Sequence, residues 1–370
     1  MKTKAAVVYE PGKRIEIEEL DLDGPQAGEV LIRYTYAGLC HTDLHVAQGD
    51  LEVRLPMVLG HEGAGIVEEV GPDVTRVAPG DHAVCSFIPS CGVCRYCATG
   101  RQSICDMGAA LLEGYLPGGR FPFTGPGLQY GGMCMLGTFS QYGVIHQASV
   151  VKVDDDLPLD KAVLVGCGVP TGWGSAVYAA KVAPGDTVAV YGVGGIGINA
   201  VQGARYAGAK NVIAIDPLEN KREKAMQFGA THAFATAEEA QAAITDLTRG
   251  QGADSAILTV GLMTAEVVTA GFYAVGKDGV VVLTGLNKLF EPNIQLPGTI
   301  LTSYRKTVKG SLFGDCNPTY DIPKLLGLYR AGDLKLDEIV TRTYTLHEVN
   351  EGYDDLLAGK NVRGVVVHEH

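Results

Sequence analysis

The chain has 370 residues, which favours two domains over one because single hydrophobic cores seldom grow this large. Hydrophobic residues make up 46% of it, and 49 glycines indicate many tight turns, as is typical of a globular α/β protein. The net charge of −12 argues against a nucleic-acid partner, since such proteins neutralise phosphates with basic groups.

The N-terminal ten residues lack an apolar run followed by a small-residue cleavage site. Elsewhere, no uninterrupted apolar stretch reaches the roughly 18 residues that indicate a membrane span. We therefore expect a cytoplasmic protein with no membrane partner. In such a compartment, clustered cysteines are more often metal ligands than disulfide partners.

Short β-rich runs separated by Pro/Gly turns fill the first part of the chain, to about residue 165. The clearest are residues 30–36, 65–70 and 143–153. Runs of this kind predict an antiparallel, barrel-like domain. We place this domain at residues 1–168.

A different pattern begins near residue 170, with an apolar strand at 187–191, a helix at 196–207 and a second strand at 211–215. This βαβ unit is extended by apolar runs at 255–260 and 279–283. The pattern predicts a parallel, doubly wound sheet. We place this second domain at residues 169–310.

The last part of the chain, residues 311–370, again has short mixed elements. It contains an amphipathic segment at 322–329 and a final strand at 364–368. We expect it to return to the first domain.

The glycine pattern G-x-G-x-x-G stands directly between the predicted strand and helix of the βαβ unit. Gly192 would allow the tight turn, Gly194 would let the backbone approach a pyrophosphate, and Gly197 would let helix and strand pack closely. Nineteen residues after Gly197, Asp216 ends the second strand, where a carboxylate accepts hydrogen bonds from ribose hydroxyls and repels a 2′-phosphate. The pattern favours NAD over NADP. The alternative is a glycine turn that binds nothing.

Four cysteines lie within a short segment of about residues 91–105. Their spacing suits a closed tetrahedral S4 site with no position left for a substrate, which indicates a structural zinc. An iron site or free thiols are the alternatives, although the common ferredoxin run differs in its last spacing. The four are Cys91, Cys94, Cys97 and Cys105.

A dispersed set of Cys40, His61 and Cys167 has the composition of a catalytic zinc site. Such a site needs about three protein ligands and one open position. Each residue alone is more often a buried core residue than a ligand. Together with a dinucleotide site, the three favour a metal-dependent oxidoreductase.

These features together resemble the zinc-containing medium-chain alcohol dehydrogenases over essentially the whole chain. The resemblance implies a GroES-like β-barrel catalytic domain and a Rossmann domain. The segments 166–172 (GCGVPTG) and 310–314 (GSLFG) are most similar to the class III branch of glutathione-dependent formaldehyde dehydrogenases and to the actinobacterial, NDMA-dependent nicotinoprotein type.

The resemblance implies two zinc ions per chain. Cys40, His61 and Cys167 would bind the catalytic zinc, and the four-cysteine lobe would bind the structural one. Glu62 would approach the catalytic metal during ligand exchange, and Asp43 would orient His61 from behind.

The resemblance also implies a proton relay and an NAD site. Thr42 would take the alcohol proton, which then passes through the nicotinamide ribose to His45 at the surface. A hydrogen-bonding turn and a solvated side chain are the alternative interpretations of these two residues. The residues implied to contact NAD are His41, Thr171, Gly192, Gly194, Gly195, Ile196, Gly197, Asp216, Lys221 and Arg363.

Three of these cofactor residues either differ from many relatives or have an alternative interpretation. Many relatives have arginine in place of His41, and arginine binds phosphate more strongly than a partly neutral imidazole. Thr171 and Ile196 could equally be ordinary packing residues.

The expected reaction is the reversible oxidation of primary alcohols, aliphatic or aromatic, by hydride transfer to NAD. Thr42 narrows the space beside the metal compared with serine, and Phe87 would form part of an apolar pocket wall. We expect a homodimer or homotetramer.

A thiol-adduct formaldehyde dehydrogenase and a nicotinoprotein alcohol:acceptor oxidoreductase are the alternatives. The first is weakened because residues 106–110 lack the arginine that its relatives use. A non-enzymatic zinc-ribbon protein that senses NAD and a zinc-free reductase of the same fold are more remote alternatives.

Overall fold

The computed structural model describes residues 1–286 and 294–370. Two compact units divide the chain: Met1–Cys167 with Asn317–His370, and Gly168–Cys316. Residues 311–316 therefore lie with the second unit.

The strands of the described residues are numbered in chain order. They are β1 (Lys2–Val8), β2 (Glu16–Leu22), β3 (Glu29–Gly38), β4 (Met57–Val58), β5 (Gly63–Val70), β6 (His82–Cys85), β7 (Phe123–Gly125), β8 (Leu128–Gly132), β9 (Tyr142–His146), β10 (Val150–Lys152), β11 (Thr187–Tyr191), β12 (Asn211–Ile215), β13 (His232–Phe234), β14 (Ala253–Leu258), β15 (Val275–Leu283), β16 (Thr307–Gly310), β17 (Val340–Thr345) and β18 (Arg363–Val367).

The α-helices are numbered in the same way. They are α1 (His41–Gln48), α2 (Leu159–Ala162), α3 (Gly168–Gly174), α4 (Gly197–Tyr206), α5 (Glu219–Gln227), α6 (Ala237–Leu247), α7 (Ala265–Ala274), α8 (Gly298–Ser303), α9 (Pro318–Ala331) and α10 (Val349–Leu357).

The first unit contains a small closed barrel and a larger sheet. The barrel has the strand order β1-β2-β7-β8-β4, and the seven-stranded sheet runs β10-β6-β5-β3-β18-β17, with β9 also paired to β3. The barrel-like fold is confirmed, but the three runs that predicted it lie in the larger sheet.

The β-rich run at 143–153 consists of two strands. It is divided into β9 and β10 by a tight 3-10 turn, Gln147–Ser149. The side chain of His146 caps this turn by accepting a hydrogen bond from the Ala148 N–H at 3.1 Å. The C-terminal segment contributes β18, which pairs antiparallel with β3.

The second unit is built on a six-stranded sheet of order β13-β12-β11-β14-β15-β16, in which every pairing is parallel. Its central strands β11 and β12 are buried along their whole length, as expected for strands covered on both faces. The predicted strand–helix–strand unit is confirmed at 187–191, Gly197–Tyr206 and 211–215.

No single helix among the described residues is long and apolar enough to cross a membrane. One bent pair, Leu159–Gly166 with Gly168–Ala179, reaches the necessary length and composition.

Candidate metal and cofactor sites

Four ligand-type side chains meet in the first unit: Cys40, His61, Glu62 and Cys167. All four are buried, and their ligand atoms lie within 4.8 Å of one another. Cys40 immediately precedes α1, while His61 and Glu62 lie between β4 and β5. Two thiols, an imidazole and a carboxylate are donors that zinc accepts, and Glu62 Oε1 has no hydrogen-bond partner among the described residues. The residues present therefore fit a zinc ion.

The two sulfurs of this cluster are hydrogen-bonded to each other, with Cys167 as the donor. A hydrogen bond from Cys167, with the charges of His61 and Arg363, lowers the pKa of Cys40 well below its usual range. The same hydrogen bond and burial raise the pKa of Cys167. A bound cation would displace the proton of Cys167 and allow both sulfurs to be thiolates.

Asp43 lies behind His61, as the resemblance implies. Its Oδ2 is 3.1 Å from His61 Nδ1, and its Oδ1 accepts a hydrogen bond from the Gly60 N–H at 2.8 Å. Burial lowers the pKa of His61, but the charges of Asp43 and Cys40 outweigh burial and raise it. This arrangement leaves Nε2 of His61 for a metal.

Arg363 lies beside the cluster of predicted catalytic zinc ligands. Its guanidinium donates a hydrogen bond to Glu62 Oε2, and the side chain is buried. Burial raises the pKa of Glu62, whereas the charge of Arg363 lowers it. The pyrophosphate contact that the resemblance implies for Arg363 stays a prediction.

The relay residues lie on α1. The sulfur of Cys40 lies 3.6 Å from Thr42 Oγ1. The expectation that His45 lies at the surface is wrong, because it is only 9% exposed and its Nδ1 lies 3.0 Å from Asp50 Oδ2. The carboxylate of Asp50 is 28% exposed and lies beside His45, so it is a polar group that the relay prediction missed. His41 is half-buried on the same helix.

Phe87 packs against His61, one of the predicted zinc ligands. Its ring lies edge-on to that of His61, with the ring centroids 5.7 Å apart. The side chain is half-buried. An apolar wall beside the predicted zinc ligand is therefore present.

The four-cysteine lobe forms a second cluster, with all four sulfurs within 4.8 Å of one another. Cys91 and Cys97 have their sulfurs 3.9 Å apart, as do Cys94 and Cys105. Sulfurs bound tetrahedrally to one zinc at about 2.3 Å lie about 3.8 Å apart. The separation is too long for a disulfide and fits a tetrahedral S4 site.

Backbone amides support thiolates in this lobe. The N–H groups of Cys91, Cys94 and Cys97 each donate to a cysteine sulfur, at 3.3–3.4 Å. Backbone hydrogen bonds from Cys97 and Asp106 lower the pKa of Cys94 to about 6. Arg76, which the sequence did not indicate, anchors the start of the lobe by donating to the Ser90 carbonyl at 2.5 Å.

The glycine loop of the second unit has the geometry that its pattern predicts. Gly192 has φ +81°, where side chains are strained. A Cβ on Gly197 would lie 1.9 Å from the Gly192 carbonyl, whereas a Cβ on Gly194 would meet no described atom within 4 Å. There is thus no space for a side chain at Gly197, next to the helix, whereas the space beside Gly194 is free of described atoms.

Asp216 is joined to this loop. Its Oδ2 accepts a hydrogen bond from the Val193 N–H and its Oδ1 one from the Leu218 N–H, both at 3.0 Å. Arg222, which the sequence reasoning missed, donates to the Asp216 carbonyl at 2.8 Å. The carboxylate is thereby held at the end of β12, next to the glycine loop.

The other predicted cofactor residues of the second unit have these positions. Gly195 accepts a hydrogen bond from Asn199 at 2.9 Å, Ile196 is half-buried just before α4, Thr171 is buried in α3, and Lys221 is half-buried in α5. Their contacts with NAD stay predictions.

Comparison with known proteins identifies the family. Residues 26–155 match the family model of the alcohol dehydrogenase GroES-like domain, and residues 195–331 match that of the zinc-binding dehydrogenases. The chain is 63% identical over 368 residues to the NDMA-dependent alcohol dehydrogenase of Amycolatopsis methanolica, covering 100% of this chain and 99% of the relative. It is 61% identical to the putative alcohol dehydrogenase D of Mycobacterium tuberculosis, with both chains fully covered.

Solved structures give the same family. The benzyl alcohol dehydrogenase of Acinetobacter calcoaceticus is 32% identical, with a TM-score of 0.93 and complete coverage of both chains. An alcohol dehydrogenase zinc-binding domain protein from Burkholderia ambifaria is 33% identical, with the same TM-score and coverage. Sequence relatives, fold neighbours and both family models agree, and the chain belongs to the zinc-containing medium-chain alcohol dehydrogenase family.

Proposed function

We propose that this alcohol dehydrogenase oxidises primary alcohols reversibly to aldehydes, with one catalytic zinc, one structural zinc and NAD. The observation that carries the proposal is the buried cluster of Cys40, His61 and Cys167 in a chain that also has an open dinucleotide loop at Gly194. When bound, zinc would polarise the alcohol oxygen and NAD would accept the hydride.

The chain's own residues would bind the metal, orient its ligand and accept the substrate proton. Cys40, His61 and Cys167 hold the metal, and Asp43 keeps the imidazole of His61 oriented. Thr42, whose hydroxyl lies beside Cys40, accepts the proton of the substrate hydroxyl.

From Thr42 the proton leaves by way of His45. The carboxylate of Asp50 holds this imidazole at Nδ1 and is itself partly exposed. The proton therefore has a polar exit even though His45 is buried.

NAD would lie along the glycine loop. The amides at the N-terminus of α4 and the open space at Gly194 suit a pyrophosphate. Asp216 would accept hydrogen bonds from the adenosine ribose and disfavour a 2′-phosphate, which supports NAD over NADP.

A second candidate is a nicotinoprotein, in which NAD stays bound and an external acceptor reoxidises it. The 63% identity to an enzyme named NDMA-dependent alcohol dehydrogenase favours it. The thiol-adduct alternative has less support, because residues 106–110 contain no arginine. We further propose a homodimer or homotetramer.

One experiment separates these proposals. The purified protein is denatured and the released NAD is measured; a panel of primary alcohols is then assayed with added NAD or with NDMA. Turnover with added NAD supports the first proposal. About one NAD released per chain, with NDMA turnover that ignores added NAD, supports the nicotinoprotein. Failure to oxidise any primary alcohol with either acceptor would contradict both.

A further inference from the structure

Tyr353 has a buried hydroxyl near the predicted catalytic zinc ligands. It lies on α10, is 3% exposed, and packs its ring edge-on against Phe139, with the centroids 6.3 Å apart. Its hydroxyl has no hydrogen bond of standard geometry among the described residues. Leaving a buried hydroxyl without a partner is unfavourable, so an acceptor for it is expected nearby.

The contacts of Tyr353 lead to the carboxylate of Asp43 as the acceptor. Phe139, against which Tyr353 packs, donates its N–H to the Leu59 carbonyl at 2.9 Å, directly before Gly60. Gly60 in turn donates its N–H to Asp43 Oδ1. Packing therefore brings α10 against the segment that holds Asp43.

The electrostatic environment agrees with this placement. Burial, the charges of Asp43 and Cys40 and hydrogen bonding to Asp43 raise the pKa of Tyr353 well above its usual range. The phenol therefore stays protonated and is a donor at all working pH values. Like the Tyr353 hydroxyl, Asp43 Oδ2 and His61 Nδ1 have no hydrogen-bond partner of standard geometry among the described residues. Asp43 Oδ2 and His61 Nδ1 lie 3.1 Å apart, which leaves the carboxylate able to accept a further donor.

We propose that Tyr353 is a positioning residue whose hydroxyl donates to Asp43 and so keeps that carboxylate on His61 Nδ1. The inference rests on the proposed catalytic zinc. Because Asp43 has Gly60 on one oxygen, a second donor limits its rotation and holds the imidazole for metal binding. The ligand shell would thus extend from His61 through Asp43 to Tyr353.

The test compares Tyr353→Phe with the matched control Tyr344→Phe in zinc-loaded protein. Tyr344 is also a buried tyrosine, but its hydroxyl donates to Asp355 at 2.9 Å and not to Asp43. Zinc affinity is measured by chelator competition, with Cys40→Ala as the reference that lacks the catalytic zinc. We expect about a 10-fold loss of catalytic zinc affinity in Tyr353→Phe, the lower end of the range for an outer-shell partner, and no loss in Tyr344→Phe.

A double-mutant cycle shows whether Tyr353 acts through Asp43. In an Asp43→Asn background, Tyr353→Phe should weaken zinc binding no further. Unchanged zinc affinity in Tyr353→Phe, or an equal loss in both backgrounds, would overturn the inference. If the wild-type protein binds no zinc that Cys40→Ala lacks, the proposed function itself fails.

Discussion

Thr42 lies two residues after Cys40, at the start of α1, with its hydroxyl next to the sulfur of the predicted zinc ligand. Its helix directs the following residues, Asp43 and His45, into buried positions. One short segment therefore contains the proposed metal ligand, the proposed proton acceptor and the group proposed to orient a second ligand. This compactness explains why the sequence could indicate these residues.

Thr42→Val should separate proton transfer from structure. Valine keeps the branched shape but removes the hydroxyl, and general acid–base groups contribute about 100-fold or more to the rate. We expect kcat for a primary alcohol to fall about 100-fold with zinc content unchanged. Thr42→Ser, which retains the hydroxyl, is the control; equal rates for the valine and serine variants would contradict the relay.

Contacts between residues far apart in the chain could not be predicted from the sequence. Glu62 and Arg363 are 301 residues apart, and they meet because β3 pairs with both β5 and β18. Similarly, the burial of His45 depends on how α1 packs, and the sequence of a short helix does not reveal its packing. Burial and pairing of polar groups are tertiary properties, so spacing alone does not give them.

At the scale of elements, the turn from β11 to α4 shows why three glycines are needed. Gly192 has a positive φ, Gly197 lies against the Gly192 carbonyl, and Gly194 adjoins open space. Two of these glycines therefore serve the fold, and the third is required only if a ligand approaches the backbone.

Gly194→Ala and Gly197→Ala should consequently differ. An alanine at 194 meets no described atom within 4 Å, so Tm should stay unchanged while NAD affinity falls about 10-fold or more. An alanine at 197 would collide with Gly192 and should lower both Tm and NAD affinity. Both are measured by thermal unfolding and NAD titration. Undiminished NAD binding by a folded Gly194→Ala protein would contradict the loop assignment.

Strands were predictable where burial is complete. Residues 187–191 and 211–215 match their predicted bounds because they are apolar after their first residue and bounded by turn residues. The division of the run at 143–153 into two strands was not predictable, because the turn at 147–149 interrupts an otherwise β-like composition without a glycine or proline. A turn made by side-chain capping leaves little trace in the residue pattern.

In the whole molecule, two candidate metal sites of different kinds lie in the first unit. The four-cysteine lobe was predictable from spacing because its ligands lie within fifteen consecutive positions. The catalytic cluster draws on residues from 40 to 167, so it rested on the family resemblance until the fold brought them within 4.8 Å. Closure of the barrel and the order of strands in the sheets could not be derived from short runs.

Zinc content per chain tests this account most directly. Metal analysis of the purified protein should find two zinc ions in the wild type and one in Cys40→Ala. The variant should lose turnover while retaining NAD binding, because the glycine loop and Asp216 are untouched. A wild-type protein with one zinc, or a Cys40→Ala protein with full activity, would contradict the assignment of the catalytic site.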